Sequence, residues 1–333
     1  MKYHYFVIPG IILLLLFSCV TGVTESELAR EYYNLGNAYL EIEEYSDAAE
    51  YYLRAIELEP ALRTASYNLA RAYIESGDYG QAEEILNQLL TEDEENILVL
   101  QSLGYLYYQS NELPRAQEIY EGILEISPSN KYSLYNIAMI FREYGEFRTA
   151  ANYLESLYEV DEDDSQVLIA LARLYRRMEN WTGAAEYALY YLDEEQDDIE
   201  AYRILAKAYT ELEEYGDAYQ TYALILEQEQ DDEQALFFQA VLDLTVIQEV
   251  ERGLEKLRSA FEAGFRDTVQ ISELLEDPLT LSVEEVQGIV DEFNITLEQA
   301  GDEETQSDDA EQDEEEAGQE DDVPPIPRPE VTG

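Results

Sequence analysis

Residues 63–82 read RTASYNLARAYIESGDYGQA, residues 97–116 read ILVLQSLGYLYYQSNELPRA, and residues 131–150 read KYSLYNIAMIFREYGEFRTA. Each stretch lies 34 positions after the one before it. The register extends in both directions without a gap, giving six lines that start at Ala29, Arg63, Ile97, Lys131, Ser165 and Ile199. In the eleventh column stand Tyr39, Tyr73, Tyr107, Phe141, Tyr175 and Tyr209. The twentieth is alanine throughout: Ala48, Ala82, Ala116, Ala150, Ala184 and Ala218. Columns 4, 7, 8 and 11 are three or four residues apart and therefore share one helical face. Columns 17, 20, 24 and 27 repeat that stripe on a second helix. Each unit thus reads as two short antiparallel helices, with small residues at columns 8 and 20 where the backbones approach. Turn residues such as Ser76-Gly77-Asp78 separate the stripes, and Pro60 and Pro128 close two of the units.

This pattern resembles the tetratricopeptide repeat over residues 29–232. The resemblance implies an all-α fold, a right-handed α-solenoid of helix-turn-helix repeats that binds partners rather than transforming them. The closing proline is replaced in four units by Glu94, Glu162, Gln196 and Gln230. Residues 233–297 blur the register. Glu233 to Val246 reads as a further first helix, and its partner from Glu249 to Ala263 is shifted by about one residue. Ser282-Val283-Glu284-Glu285 reads as a capping box that opens a last helix. This region is expected to be a degenerate repeat and helical cap, which a solenoid needs to cover its final apolar face.

The two ends differ from the body. Residues 1–18 have a basic start at Lys2 and an apolar run from Ile11 to Phe17, too short to span a bilayer and suited to a secretory signal. Leu16-Phe17-Ser18-Cys19 resembles a bacterial lipobox, which implies cleavage after Ser18, lipidation of Cys19 and residues 19–28 as a tether. The alternative is an incidental cysteine in an ordinary secretory signal. Residues 298–333 hold 15 acidic residues against Arg328 and read as a disordered acidic tail.

Composition narrows the chemistry. The chain of 333 residues has 19 Lys and Arg against 75 Asp and Glu, a formal net charge of −56. Nucleic acid is excluded as a partner, because phosphate contacts need a basic footprint. His4 and Cys19 are the sole histidine and cysteine. With both at the N-terminus, the body has no histidine base, thiol nucleophile or zinc site to offer, and no cofactor or enzyme activity is expected. The acidic runs at residues 92–95 and 161–164 read as solvated turns.

Where the basic residues fall is the functional signal. In the family, columns 2, 5, 9 and 12 of the first helices line a concave groove. Of those 24 positions here, seven are basic (Arg30, Arg71, Arg142, Arg173, Arg176, Arg203 and Lys207) and one, Glu200, is acidic. The other 180 repeat positions hold six basic and 43 acidic residues, so the enrichment is not a random spread. The groove is expected to be aromatic at its N-terminal half, through Tyr33, Tyr67, Tyr105, Tyr108, Tyr132 and Tyr135. Its C-terminal half is expected to be basic, through Arg173, Arg176, Arg177, Arg203 and Lys207, a cluster without an obvious partner. Tyrosine and arginine supply much of the energy at interfaces, and arginine pairs with carboxylates. Asn37 and Asn68 match two places of the family's clamp for a chaperone C-terminus, but Tyr33 and Leu98 stand where it needs lysine.

The expected function is a membrane-anchored adaptor within a bacterial envelope assembly, on the outer membrane by preference. Its solenoid would lie in the periplasm or at the cell surface. Its ligand would be a protein or peptide, acidic or carboxylate-ended, with the chain's own acidic tail as a competitor for the basic half. The alternative is an acidic structural or charge-buffering lipoprotein without a groove ligand.

Overall fold

The computed structural model describes residues 24–161 and 164–297; Cys19, the signal segment and the acidic tail lie outside them. The chain divides into two compact units, split after Pro128.

The first unit holds three hairpins: α1 (Glu25–Glu41) with α2 (Tyr45–Leu58), α3 (Arg63–Glu75) with α4 (Tyr79–Leu90), and α5 (Ile97–Gln109) with α6 (Leu113–Ile126). The second holds α7 (Lys131–Glu143) with α8 (Phe147–Tyr158), α9 (Ser165–Arg177) with α10 (Trp181–Glu194), and α11 (Ile199–Glu211) with α12 (Tyr215–Gln228). Four more helices complete it: α13 (Glu233–Leu242), α14 (Val250–Ala263), α15 (Thr268–Glu276) and α16 (Val283–Glu292). Within each unit every hairpin stacks on its neighbour, and first helices of adjacent repeats touch, as α1 with α3 and α9 with α11. All six column-20 alanines have no exposed surface.

Column 15 turns every hairpin. Glu43, Gly77, Asn111, Gly145, Glu179 and Glu213 all adopt positive φ between 54° and 81°. Only two are glycine, so three units hold a glutamate in the left-handed region at some cost in strain. The next repeat is begun by a residue the proline pattern does not reveal. Asn96, Asn130, Asp164, Asp198 and Asp232, all at column 34, accept a hydrogen bond from a backbone N–H in the first turn of the helix that follows. A side-chain cap of this kind contributes about 1 kcal/mol.

The C-terminal region is a seventh hairpin plus a lid of two helices. A π-helical turn over Asp243–Ile247 interrupts the first helix, and the left-handed turn residue becomes Gln248. A π turn absorbs one extra residue, which accounts for the one-residue shift in register. Gly253 then occupies the place of the invariant alanine; a Cβ there would lie 2.7 Å from Leu244 Cγ. Phe237, Leu257, Phe261, Phe265, Ile271, Leu274 and Val286 make the core of this region. The expected capping box at its last helix is not formed. Ser282 sits at φ 58° and its side chain makes no cap, because the chain enters α16 from a left-handed turn. A capping box is instead found at Thr24 and Glu27, opening α1.

The packing columns hold tyrosines away from water. Burial, aided by the Glu83 carboxylate that accepts its hydrogen bond, pushes the Tyr107 phenol up to about 12. Burial and the nearby Glu155 charge push Tyr187 up to about 12 as well. Tyr52, Tyr175 and Tyr222 are raised further, chiefly by burial. A phenol with a raised native pKa binds its proton more tightly folded than unfolded. Its contribution is therefore complete below the free value of about 10 and is lost as pH climbs toward the native one. A spectrophotometric titration should show exposed tyrosines ionising near pH ~10 and a second class ionising only as helix is lost, about one to two units higher. One class near ~10 with helix intact would contradict this packing.

Candidate functional site

In the first unit, α1, α2 and α3 bring three tyrosines and two asparagines together. The Tyr52 hydroxyl donates to Asn37 Oδ1 at 2.7 Å, and Asn68 Nδ2 donates to the same oxygen at 3.0 Å. Asn68 Nδ2 also lies 3.4 Å from the Tyr33 hydroxyl. Beside this network is a pocket of about 180 Å³ lined by Tyr33, Tyr67, Asn68, Leu89, Leu98 and Val99, with Arg63 and Asp93 at its edge. Aliphatic and aromatic walls with a few fixed polar atoms suit a peptide side chain.

The tyrosines expected on the groove do not all reach it. Tyr67, Tyr105 and Tyr135 are buried. The Tyr67 hydroxyl bonds Ser102 Oγ at 2.9 Å, across to the next repeat, and burial raises its pKa. Tyr105 accepts from Gln109 Nε2 at 2.7 Å. These rings therefore act as packing with at most an edge available. Tyr33, Tyr108 and Tyr132 are half-buried, as are Arg71 and Arg142; Arg142 also pairs with Glu143 at 2.8 Å.

In the second unit a pocket of about 200 Å³ brings together Arg176, Arg203 and Lys207 over Tyr222 and Phe238. Three members of the basic cluster have carboxylate partners, contrary to the expectation from sequence. Arg173 grips Glu200 through both Nε, at 2.7 Å, and Nη2. Arg203 pairs with Asp232 and, at 3.7 Å, with Glu229. Lys207 pairs with Glu211 at 2.8 Å. Arg177 is exposed and lies 5.0 Å from the Phe147 ring centroid. Asp232 is buried and also caps α13 through Ala235 N at 2.7 Å. Glu200 and Asp232 come from columns 2 and 34, which reach these arginines only once repeats stack, whereas Glu211 lies one turn along the same helix as Lys207. Gln270 of α15 also lines this pocket, and no repeat column announces it. Among the described residues no three His, Cys, Asp or Glu side chains converge as a metal site.

Comparison with known proteins bears on the fold. Two tetratricopeptide repeat family models match, one over residues 33–97 and 135–199 and the other over residues 74–135. No curated protein sequence matches the chain. Among solved structures, Pseudomonas aeruginosa pilF is 17% identical, with 65% of this chain and 98% of that one covered at a TM-score of 0.51. YrrB, a TPR protein with an unusual peptide-binding site, is 18% identical, with 54% and 92% covered at 0.49. A tetratricopeptide repeat protein from Parabacteroides merdae is 18% identical, with 78% and 99% covered at 0.48. The helical hairpins keep the 34-residue register that those models describe, and the chain belongs to the tetratricopeptide repeat family, an all-α repeat solenoid whose members serve protein–protein interaction.

Proposed function

We infer that the protein is a lipid-anchored adaptor of a bacterial envelope assembly that holds a protein or peptide segment against its first helices. The observation that carries this reading is the amide network of the first unit. Asn37 Oδ1 already accepts from Tyr52 and Asn68, which fixes the amide orientation and keeps the Asn37 NH₂ end out of those two bonds. A preset donor beside an aromatic and aliphatic pocket binds a peptide carbonyl and one apolar side chain with little ordering cost. The acidic or carboxylate-ended ligand has weaker support. To reach Arg173 or Arg203 such a ligand, the chain's own tail included, must displace Glu200 or Asp232, and Asp232 is also a helix cap. The first unit is therefore the main docking point. The anchor rests on Cys19 following a short apolar run.

The test is cross-linking in intact cells followed by fractionation. Wild type should sediment with membranes and form a discrete adduct. Cys19→Ser should be released from the membrane, and Asn37→Ala with Tyr33→Ala should lose the adduct while staying membrane-bound. A Cys19→Ser variant that sediments like wild type sinks the anchor. An adduct indifferent to Asn37 and Tyr33 sinks the docking point.

A further inference from the structure

On the opposite side of α11 from Arg203 and Lys207 lies a second concavity. Residues 202, 205 and 209 point about 180° around the helix from residues 200, 203 and 207. Tyr202, Leu205 and Tyr209 floor a groove of about 300 Å³ between α10 and α12. Its rims carry Leu189 on α10 and Leu224 on α12, 46% and 41% exposed. Asp193 and Asp217, both exposed, stand at the same rims.

The sequence register shows that these leucines depart from repeats two to four; repeat one also has an exposed leucine at column 25, Leu53, but with Arg54 beside it. At columns 25 and 26, repeats two to four place Asn87 and Gln88, Glu121 and Gly122, Glu155 and Ser156. Repeats five and six place Leu189 and Tyr190, then Ala223 and Leu224. The outward side of the second helices is thus polar in three units and apolar where the groove lies. Single exposed leucines are ordinary, but two that face each other across a cavity form a docking surface.

The carboxylates decide the occupant. A second copy of this chain would bring like charge, since acidic residues outnumber basic ones 75 to 19. An anionic lipid surface is repelled for the same reason. A helix with an apolar stripe flanked by Lys or Arg satisfies both features: a leucine-sized side chain enters the groove while its cations meet Asp193 and Asp217. We propose that the groove between α10 and α12 docks a cationic amphipathic helix of another protein. This surface is separate from the first-helix face and stands or falls independently of the function inferred for that face.

The experiment is surface plasmon resonance on the full chain with two designed helical peptides. One carries leucines on one face and lysines on the other; its companion of equal charge has serine in place of leucine. Wild type should bind the leucine peptide about tenfold more tightly or better, the effect expected from burying one to two leucines. Leu189→Ser with Leu224→Ser should abolish that preference and leave the helix content unchanged, because both side chains are substantially exposed. Asp193→Asn with Asp217→Asn should weaken the leucine peptide and flatten its salt dependence. A preference that survives the leucine substitutions overturns the proposal. So does concentration-dependent self-association, or binding to phosphatidylcholine vesicles, that the same substitutions remove, since these would assign the groove to a second copy or to lipid.

Discussion

Asp243→Ala should destabilise the C-terminal hairpin by about 2–4 kcal/mol, the range for removing one partner of a buried ion pair, reduced because one cation can turn to water. Asp243 has no exposed surface, yet it sits within the π-helical turn. Arg252 reaches it through Nε, 3.0 and 2.9 Å from its two oxygens, and through Nη2. Lys256 Nζ lies 3.1 Å away and also bonds Gln239 Oε1 at 2.6 Å. Both cations stand over the Tyr219 ring, at 5.5 and 4.4 Å. Without the carboxylate, Lys256, whose side chain is only 19% exposed, keeps a charge with too little water, whereas Arg252, at 44%, can re-solvate. Asp243→Asn should fall between alanine and wild type. The signal to follow is amide exchange, because repeat proteins open locally. Protection over residues 233–263 should drop while residues 25–126 stay as in wild type. A loss under about 0.5 kcal/mol would reduce the pair to a surface-like contribution.

That cluster was invisible in the repeat columns, and the reason is physical. Asp243 and Arg252 are nine residues apart, and the π turn shifts the register between them. What the sequence made legible was the contact that every repeat makes with itself. The six alanines at column 20, the aromatics at column 11 and the break between helices recur because each hairpin solves the same packing problem. Contacts between repeats were harder. Tyr67 and Arg173 stand at columns that face outward on an isolated first helix. They are withdrawn from solvent because the next first helix stacks beside them, carrying Ser102 to one and Glu200 to the other. A charge count along the groove columns saw seven cations and one anion. Asp232 falls outside those columns, at column 34, the last position of the sixth repeat. The helix at Thr268–Glu276 was missed altogether, since nine residues between two breaks leave too short a pattern.

Tyr120→Ala should cost about 3–5 kcal/mol, the range for removing a fully buried aromatic. Its ring has no exposed surface and packs against Gly104, where a Cβ would come within 2.8 Å. The first repeat makes the same pair with Tyr52 and Gly36, at 2.6 Å. The chain itself shows another solution: where column 8 is Ala70 or Ala138, column 24 is Leu86 or Leu154, and both leucines are fully buried. In the first four repeats glycine with tyrosine and alanine with leucine are therefore alternative fillings of one space, whereas the fifth sets Ala172 with Ala188 and the sixth sets Ala206 with a buried Tyr222. Gly104→Ala alone gains about 1 kcal/mol of helix propensity but forces the methyl into the ring, a strain of about 1–3 kcal/mol. Tyr120→Leu alone leaves part of the ring's volume empty. Together they recreate the arrangement of the second and fourth repeats, so the double variant should be more stable than the sum of the singles by about 1 kcal/mol or more. Chemical denaturation, read by exchange over residues 97–126, measures all three. Additive losses would mean that the two positions do not share a volume, and the pairing of columns 8 and 24 in the first four repeats would then be coincidence.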